Sequence, residues 1–217
     1  MSNFNHIQEK LQQFIRKYYL NELIKGSILF ISFGLIYFMC TLFIEHFLWL
    51  QPLARTVLFW LFILVEIGLL TNYIFVPLFK LSGVRKGLSL DEASRLIGTH
   101  FKEVDDKLLN VLQLKNESNQ SELLLASIEQ KSIELVPVPF KKAINFSGNK
   151  AYIRYLIVPI LIWGVVYVSG NINLFNESYD RVVNHQTAYE PPAPFSFHVF
   201  SVSYQYLLIK ALLYQLF

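Results

Sequence analysis

Two long apolar runs, separated by only eleven residues, constrain the fold of this chain more than any other feature. Residues 26–44 contain no charged side chain, and residues 56–79 contain a single one, Glu66. At a rise of about 1.5 Å per residue, helices of these lengths reach roughly 28 and 36 Å, and a bilayer's hydrocarbon core is about 30 Å thick. Because the connection is short, the two runs predict an antiparallel transmembrane hairpin, residues 26–79.

A third apolar run, residues 155–175, also lacks charge and predicts a third transmembrane helix at 153–172, with Gly170 and Asn171 near its end. Hydrophobic residues make up 53% of the chain and charged residues only 16%, against about 25% charge in a typical soluble domain. The apolar excess is concentrated in three runs, which is the pattern of a membrane protein. The predicted fold class is an all-α membrane protein with three transmembrane helices.

The polar residues 80–150, between the second and third spans, predict a small cytosolic module of three helices. Ser89 and Glu92 form a capping box ahead of a helix that runs to about residue 100. A second helix is expected over residues 104–114 and a third over 121–135.

These module helices carry apolar side chains on more than one face, and a core of three short helices buries only a modest part of its surface. One interpretation is a docking surface for another protein or a second copy. The candidate docking residues are Leu108, Leu109, Leu112, Leu124 and Ile128. The alternative is that the helices pack on each other and on the N-terminal helix.

Residues 1–25 predict a cytosolic amphipathic helix, because apolar side chains at 4-3-4 spacing share one stripe and basic residues flank it. The stripe consists of Ile7, Leu11, Phe14 and Tyr18, and the flanking lysines are Lys10 and Lys17. Such a helix suits the surface of an anionic leaflet. The alternative is a soluble helix that packs on the protein's own cytosolic part.

Lysine and arginine residues are divided unevenly along the chain. Residues 1–25 hold four and residues 80–154 hold twelve, whereas the hairpin turn holds only Arg55 and the chain after residue 155 holds two. Positive residues favour the cytoplasmic side of short loops. The expected topology therefore has the N-terminus and the module inside, and the turn and the tail, residues 173–217, outside a bacterial inner membrane.

Glu66 is the candidate intramembrane polar residue. An acidic side chain near the centre of a span costs roughly 2.5–3.5 kcal/mol on insertion scales, so it should face protein or water, or be protonated. Three interpretations are open: a proton or ion relay, a polar contact between helices, and an inert hydrogen-bonded carboxyl. The expected partners within the chain are Ser32, Tyr37 and Tyr167.

No motif in the sequence indicates catalysis, a cofactor or a metal ion. The five histidines are scattered, and no phosphate loop or paired-cysteine zinc site is present. The acids near His100 suit a helix N-terminus better than a metal site, which needs three or four ligands. A net charge of +3 is too small to predict nucleic-acid binding. The expected partners are the lipid bilayer and other proteins or a second copy.

Residues 88–114, LSLDEASRLIGTHFKEVDDKLLNVLQL, resemble a region of a known bacterial family. The pattern combines an acidic-capped helix at 90–93 with Ile97-Gly98, His100-Phe101, Val104 and the run from Asp106 to Asn110. It is similar to the N-terminal region of the domain of unknown function 4175 family, found in Bacteroidota. Two spans before this stretch, one after it and a proline-rich exit also resemble the family's layout. The resemblance implies a long inner-membrane chain whose large extracytoplasmic part carries repeated or coiled segments.

The C-terminal end departs from that layout. A proline-rich stretch leads into an expected strand, and the last fourteen residues are apolar but too few to span a membrane. The tail from about Val202 is therefore expected to be a truncated or frameshifted end. The functional hypothesis is a non-enzymatic inner-membrane anchor or scaffold subunit that docks partners through its cytosolic helices. The alternative is a small transporter or channel subunit that uses Glu66.

Overall fold

A computed structural model of the chain describes residues 3–116 and 121–191, which are mostly helical and contain no strand. The α-helices of these ranges are α1 (Asn3–Leu48), α2 (Pro52–Leu70), α3 (Val76–Leu81), α4 (Leu90–His100), α5 (Asp105–Asn116), α6 (Glu122–Leu135), α7 (Lys150–Val168) and α8 (Ile172–Val183). A π-helical turn, Thr71–Phe75, joins α2 to α3, and two 3-10 turns, Phe140–Ala143 and Phe146–Asn149, precede α7. The expected strand and the tail from Val202 lie outside the described residues.

Three helical segments of this structure are long and apolar enough to cross a membrane. They are Asn3–Leu48, Pro52–Leu81 and Phe140–Val168. Only 6% of the apolar window of the second and 11% of that of the third is buried within the protein, which leaves most of their apolar surface for lipid. The prediction of an all-helical fold with three helices long and apolar enough to span a membrane is confirmed for the described residues.

Helix α1 is one continuous helix of 46 residues, whereas the sequence pattern divided it into a surface helix, residues 1–25, and a span, residues 26–44. At about 1.5 Å per residue it is about 69 Å long, more than twice the thickness of a hydrocarbon core. It contains no proline, so nothing in the backbone forces a break between the two parts. The N-terminal part therefore continues the span instead of turning onto the membrane surface.

The apolar stripe of α1 packs into the core of the helical module. Ile7 and Leu11 are fully buried and Phe14 almost so, in one cluster with side chains of α4, α5 and α6. The predicted contact of these three side chains with the membrane surface is therefore wrong, because the module covers the stripe. Tyr18, at the end of the stripe, is only half-buried.

The two lysines beside the stripe also bind within the protein. The Lys10 ammonium donates hydrogen bonds to the carbonyls of Val136 and Val138, the first at 2.6 Å. The Lys17 ammonium donates to the carbonyl of Lys141 at 2.7 Å. These bonds fasten the connection between α6 and α7 onto α1. In this structure, Lys10 and Lys17 hold the module in place, which replaces the expected role in binding lipid headgroups.

The leucines considered as a docking surface form the module's interior. Leu108, Leu112 and Ile128 are buried, and Leu124 and Leu109 are partly covered. The docking prediction is wrong for the three buried residues, because α1 supplies the fourth helix that a three-helix module lacks. The exposed apolar side chains of the module helices are instead Leu96, Leu123, Leu125 and Ile133.

The capping box at the start of α4 is confirmed. The Glu92 backbone N–H donates to the Ser89 hydroxyl oxygen at 3.2 Å, and the Glu92 carboxylate accepts from the Ser89 backbone N–H at 2.8 Å. The bonds from Ser89 favour the charged carboxylate and lower the pKa of Glu92. Helix α7 ends at Val168, four residues before the predicted bound of the third span at residue 172, and Gly170 follows it with a φ of 73°.

The close packing of the first two spans depends on one glycine. A Cβ atom added at Gly26 of α1 would overlap the backbone carbonyl of Tyr73 in the π-helical turn. A glycine lets two backbones approach this closely, as at many helix contacts in membranes. The hairpin geometry at this level is therefore set by backbone contact.

Substituting Gly26→Ala should separate the two spans and lower the melting temperature in detergent micelles by several degrees, since overpacking typically costs about 1–3 kcal/mol. Gly164→Ala is the matched control, because apart from the adjoining backbone of α7 no atom lies within 4 Å of the added Cβ. Thermal unfolding followed by circular dichroism measures both. Equal melting temperatures for the two variants would contradict the close contact.

Candidate functional site: a buried ion cluster at the hairpin turn

The most enclosed polar site of the described residues is a cluster of three charged side chains at the hairpin turn. Glu45 lies in the last turn of α1, Arg55 in the first turn of α2 and Arg181 on α8. The side chains of Glu45 and Arg55 are fully buried, and that of Arg181 is 4% exposed. The Nε–H groups of Arg55 and Arg181 donate to the same Glu45 oxygen, Oε1, at 3.0 and 3.2 Å. One carboxylate oxygen thus joins three helices.

Three other guanidinium nitrogens of the two arginines also donate hydrogen bonds. Arg55 Nη1 donates to the Thr187 carbonyl at 2.7 Å, and Nη2 donates to the Leu50 carbonyl at 2.6 Å. Arg181 Nη2 donates to the Ser178 hydroxyl at 3.2 Å. A buried charge is tolerated when it is paired and hydrogen-bonded, and the planar guanidinium suits several fixed partners at once. The two arginines therefore bind the turn, α8 and the segment after α8 to one another.

Two aromatic rings stack against the guanidinium groups. The Arg181 guanidinium lies 4.1 Å from the centroid of the Trp49 ring, and that of Arg55 lies 5.0 Å from the centroid of the Tyr189 ring. Trp49 has a φ of 45°, a left-handed conformation that is rare for a residue other than glycine. The strained residue of the turn is therefore also the one that covers Arg181.

A second contact near the cluster joins α2 to the segment after α8. The Thr56 hydroxyl donates to the Pro52 carbonyl at 2.8 Å, and its oxygen lies 2.9 Å from Nδ1 of His185. The His185 ring also stacks on Phe59, with centroids 4.6 Å apart.

The chemistry of this cluster suits a structural role, in which its side chains join helices to one another. Arginine stays charged at any physiological pH, so neither guanidinium can serve as a proton-transfer group. The Glu45 Oε2 and His46 Nδ1 atoms are buried without a hydrogen-bond partner in the part of the chain that the structure describes. Across the same residues, no group of three histidine, cysteine, aspartate or glutamate side chains could hold a metal ion.

Glu66 lies apart from the cluster, against α1. Its carboxylate oxygens are 2.9 and 3.3 Å from the position that a Cβ on Gly34 would take, so the glycine makes room for the carboxyl. Its Oε1 is buried and has no hydrogen-bond partner among the described residues. The hydroxyl of Ser32, one of the three expected partners, donates instead to the Ile28 carbonyl at 2.7 Å. Tyr167 is exposed on α7 and stacks on Trp163.

The sequence pattern predicts neither the cluster nor α8. It uses Arg55 only to assign the side of the membrane on which the turn lies, and it predicts a tail for residues 173–217. A signal was present, because Phe175, Ser178 and Val182 recur at helical spacing and form the buried face of α8 together with Arg181. The pairing of Arg181 with Glu45, 136 positions away, has no local signature.

Removing one arginine should leave Glu45 buried with an incomplete set of partners. Arg55→Ala is therefore expected to cost about 3–5 kcal/mol of stability, as breaking a buried ion pair typically does. Glu177→Ala is the matched control. The Glu177 carboxylate also pairs with Arg181, but it is 60% exposed and lies at the long distance of 3.8 Å from Nη1. Exposed ion pairs of this kind contribute about 0–1 kcal/mol. Denaturant unfolding in micelles compares them, and similar losses for both variants would contradict a structural role of the cluster.

In comparisons with known proteins, no family model, no curated protein and no solved structure matches this chain. The resemblance of residues 88–114 to the domain of unknown function 4175 family stays a prediction. The function has to be inferred from the chain's own geometry.

Proposed function

We propose that this protein is a non-enzymatic membrane anchor or scaffold that holds a helical module on one side of the bilayer in a fixed relation to a segment on the other. The observation that carries the proposal is the double role of α1. Its N-terminal part contributes Ile7, Leu11 and Phe14 to the module core, and its last turn contributes Glu45 to the ion cluster. An unbroken helix of 46 residues therefore belongs to both ends of the molecule.

The charge distribution supports an assignment of the two sides. Most lysines and arginines lie in residues 1–25 and 80–154, at the module end, so this end is proposed to be cytoplasmic. The ion cluster and α8 are then extracytoplasmic. The proposed location is the bacterial inner membrane, which rests on the family resemblance.

Side-specific labelling tests this topology in a variant whose native cysteine, Cys40, is replaced by alanine. A cysteine introduced at Gln51, exposed in the hairpin turn, should react with a membrane-impermeant maleimide in intact cells. A cysteine introduced at Gln130, exposed on α6, should react only after the membrane is permeabilised. The reverse pattern would overturn the proposed orientation.

The proposed partners are other proteins or a second copy of the chain, bound at the module surface. Since Leu108, Leu112 and Ile128 are buried, the contact points have to be exposed side chains. Leu123 is 83% exposed and Ile133 is 57% exposed, both on α6. These two accessible apolar side chains are the proposed contact points for a partner.

Purification of the tagged native protein in a mild detergent tests the scaffold function. We expect a stoichiometric partner or a defined oligomer to elute, and Leu123→Lys with Ile133→Lys to reduce its recovery several-fold. Val84→Lys is the control, because Val84 is equally accessible but lies outside the module helices. A monomer in every preparation, with no complex disturbed when the gene is deleted, would contradict the proposal.

The alternative function, a small transporter or channel subunit that uses Glu66, has weaker support. Glu66 is the one charged side chain in the three apolar runs of the sequence. Its carboxyl packs against the Gly34 backbone, and its buried Oε1 atom has no hydrogen-bond partner among the described residues. Unchanged proton flux into vesicles after Glu66→Gln would remove this alternative.

A further inference from the structure

A polar cavity of about 340 Å³ lies between α1 and the second span, at the module end of the hairpin. Polar side chains from both helices line it. They are Tyr18, Tyr19, Glu22 and Lys25 of α1 and Asn72, Tyr73 and Lys80 of the second span. The π-helical turn Thr71–Phe75 supplies two of them, and such turns are frequent at functional sites.

The cavity lies at the boundary between polar and apolar chain. Lys25 directly precedes the first apolar run and Lys80 directly follows the second. Because the two spans are antiparallel, these ends meet at the same level. The lining also includes Leu29 and Val76, which belong to the apolar runs themselves. The cavity is therefore amphipathic, with charged groups at the membrane boundary and apolar groups toward the bilayer.

The charges of the cavity are not balanced within the protein. Lys25 is paired with Glu22 at 3.7 Å. Lys80 lines the cavity half-buried, and the described residues provide it with neither a hydrogen bond nor an ion pair. Two lysines and one glutamate leave one positive charge, which matches the single negative charge of a phosphodiester.

One side of the cavity is closed by a bond to the module. The Tyr19 hydroxyl accepts a hydrogen bond from the Leu88 backbone N–H at 2.6 Å, and both residues belong to the lining. This bond fixes the segment between α3 and α4 over the cavity. A ligand is therefore expected to reach the cavity from the side of the bilayer.

We propose that this cavity binds the phosphate of a phospholipid headgroup, with Lys80 and Lys25 as its charge partners and the lipid's apolar part along Leu29 and Val76. A lipid is favoured over free phosphate because apolar side chains of both spans line the same cavity. Juxtamembrane lysines attract anionic lipids in general, but here the two lysines share one cavity built by two helices. Such a bound lipid would fill the space between the spans next to the Gly26 contact.

Titration of the purified full chain in a neutral detergent with dioctanoyl phosphatidylglycerol, followed by native mass spectrometry, tests the proposal. We expect one saturable lipid, and at least fivefold weaker binding in both Lys80→Gln and Lys25→Gln. Lys142→Gln is the matched control, because Lys142 is an exposed lysine that does not line the cavity. Circular dichroism checks that each variant keeps its helices.

Two further ligands separate the possible sources of binding. Inorganic phosphate should compete only weakly with the lipid, and dioctanoylglycerol, which lacks the phosphate, should bind weakly. Equal competition by inorganic phosphate would overturn the assignment to a lipid. Equal binding of dioctanoylglycerol, or unchanged binding in Lys80→Gln, would overturn recognition of the phosphate.

Discussion

The backbone of α1 is the constraint on which the rest of the structure depends. In the hydrocarbon of a membrane each backbone N–H and C=O group must find its partner within the protein, and a helix provides these partners within a single segment. Here the same hydrogen-bonded helix continues past the apolar run in one direction into the module core and in the other to Glu45. Each remaining element packs on it or on an element that does.

The two ends of α1 use opposite means of attachment. At the module end, apolar side chains such as Leu11 and Leu108 are removed from water, and the hydrophobic effect holds the helices together. At the hairpin turn, charge and hydrogen-bond geometry join the elements, through the Glu45 oxygen that Arg55 and Arg181 share. A buried ion cluster is specific because each charge tolerates few alternative partners, whereas an apolar core tolerates more. The ion cluster at the hairpin turn is therefore suited to hold α8 in a single position relative to α1 and α2.

The proposed lipid site belongs to the same arrangement. The spans touch through backbone at Gly26 and Tyr73, and the cavity opens beside that contact, where the lysines at the two span ends come together. A headgroup bound there would neutralise Lys80 at the level where lipid phosphates lie. The scaffold and the lipid site both depend on the geometry of the hairpin, but they involve different residues.

The sequence by itself determined the helical class, the three helices of spanning length and the capping box of α4, because these depend on local hydropathy, helical periodicity and caps. Tertiary structure alone decided which surface covers each apolar stripe. The Ile7 to Phe14 stripe fits a membrane surface and a protein core equally well, and only the nearby α5 and α6 select the core. The pairing of Glu45 with Arg181 and the packing of Glu66 on Gly34 also depend on residues distant in sequence, which no local pattern specifies.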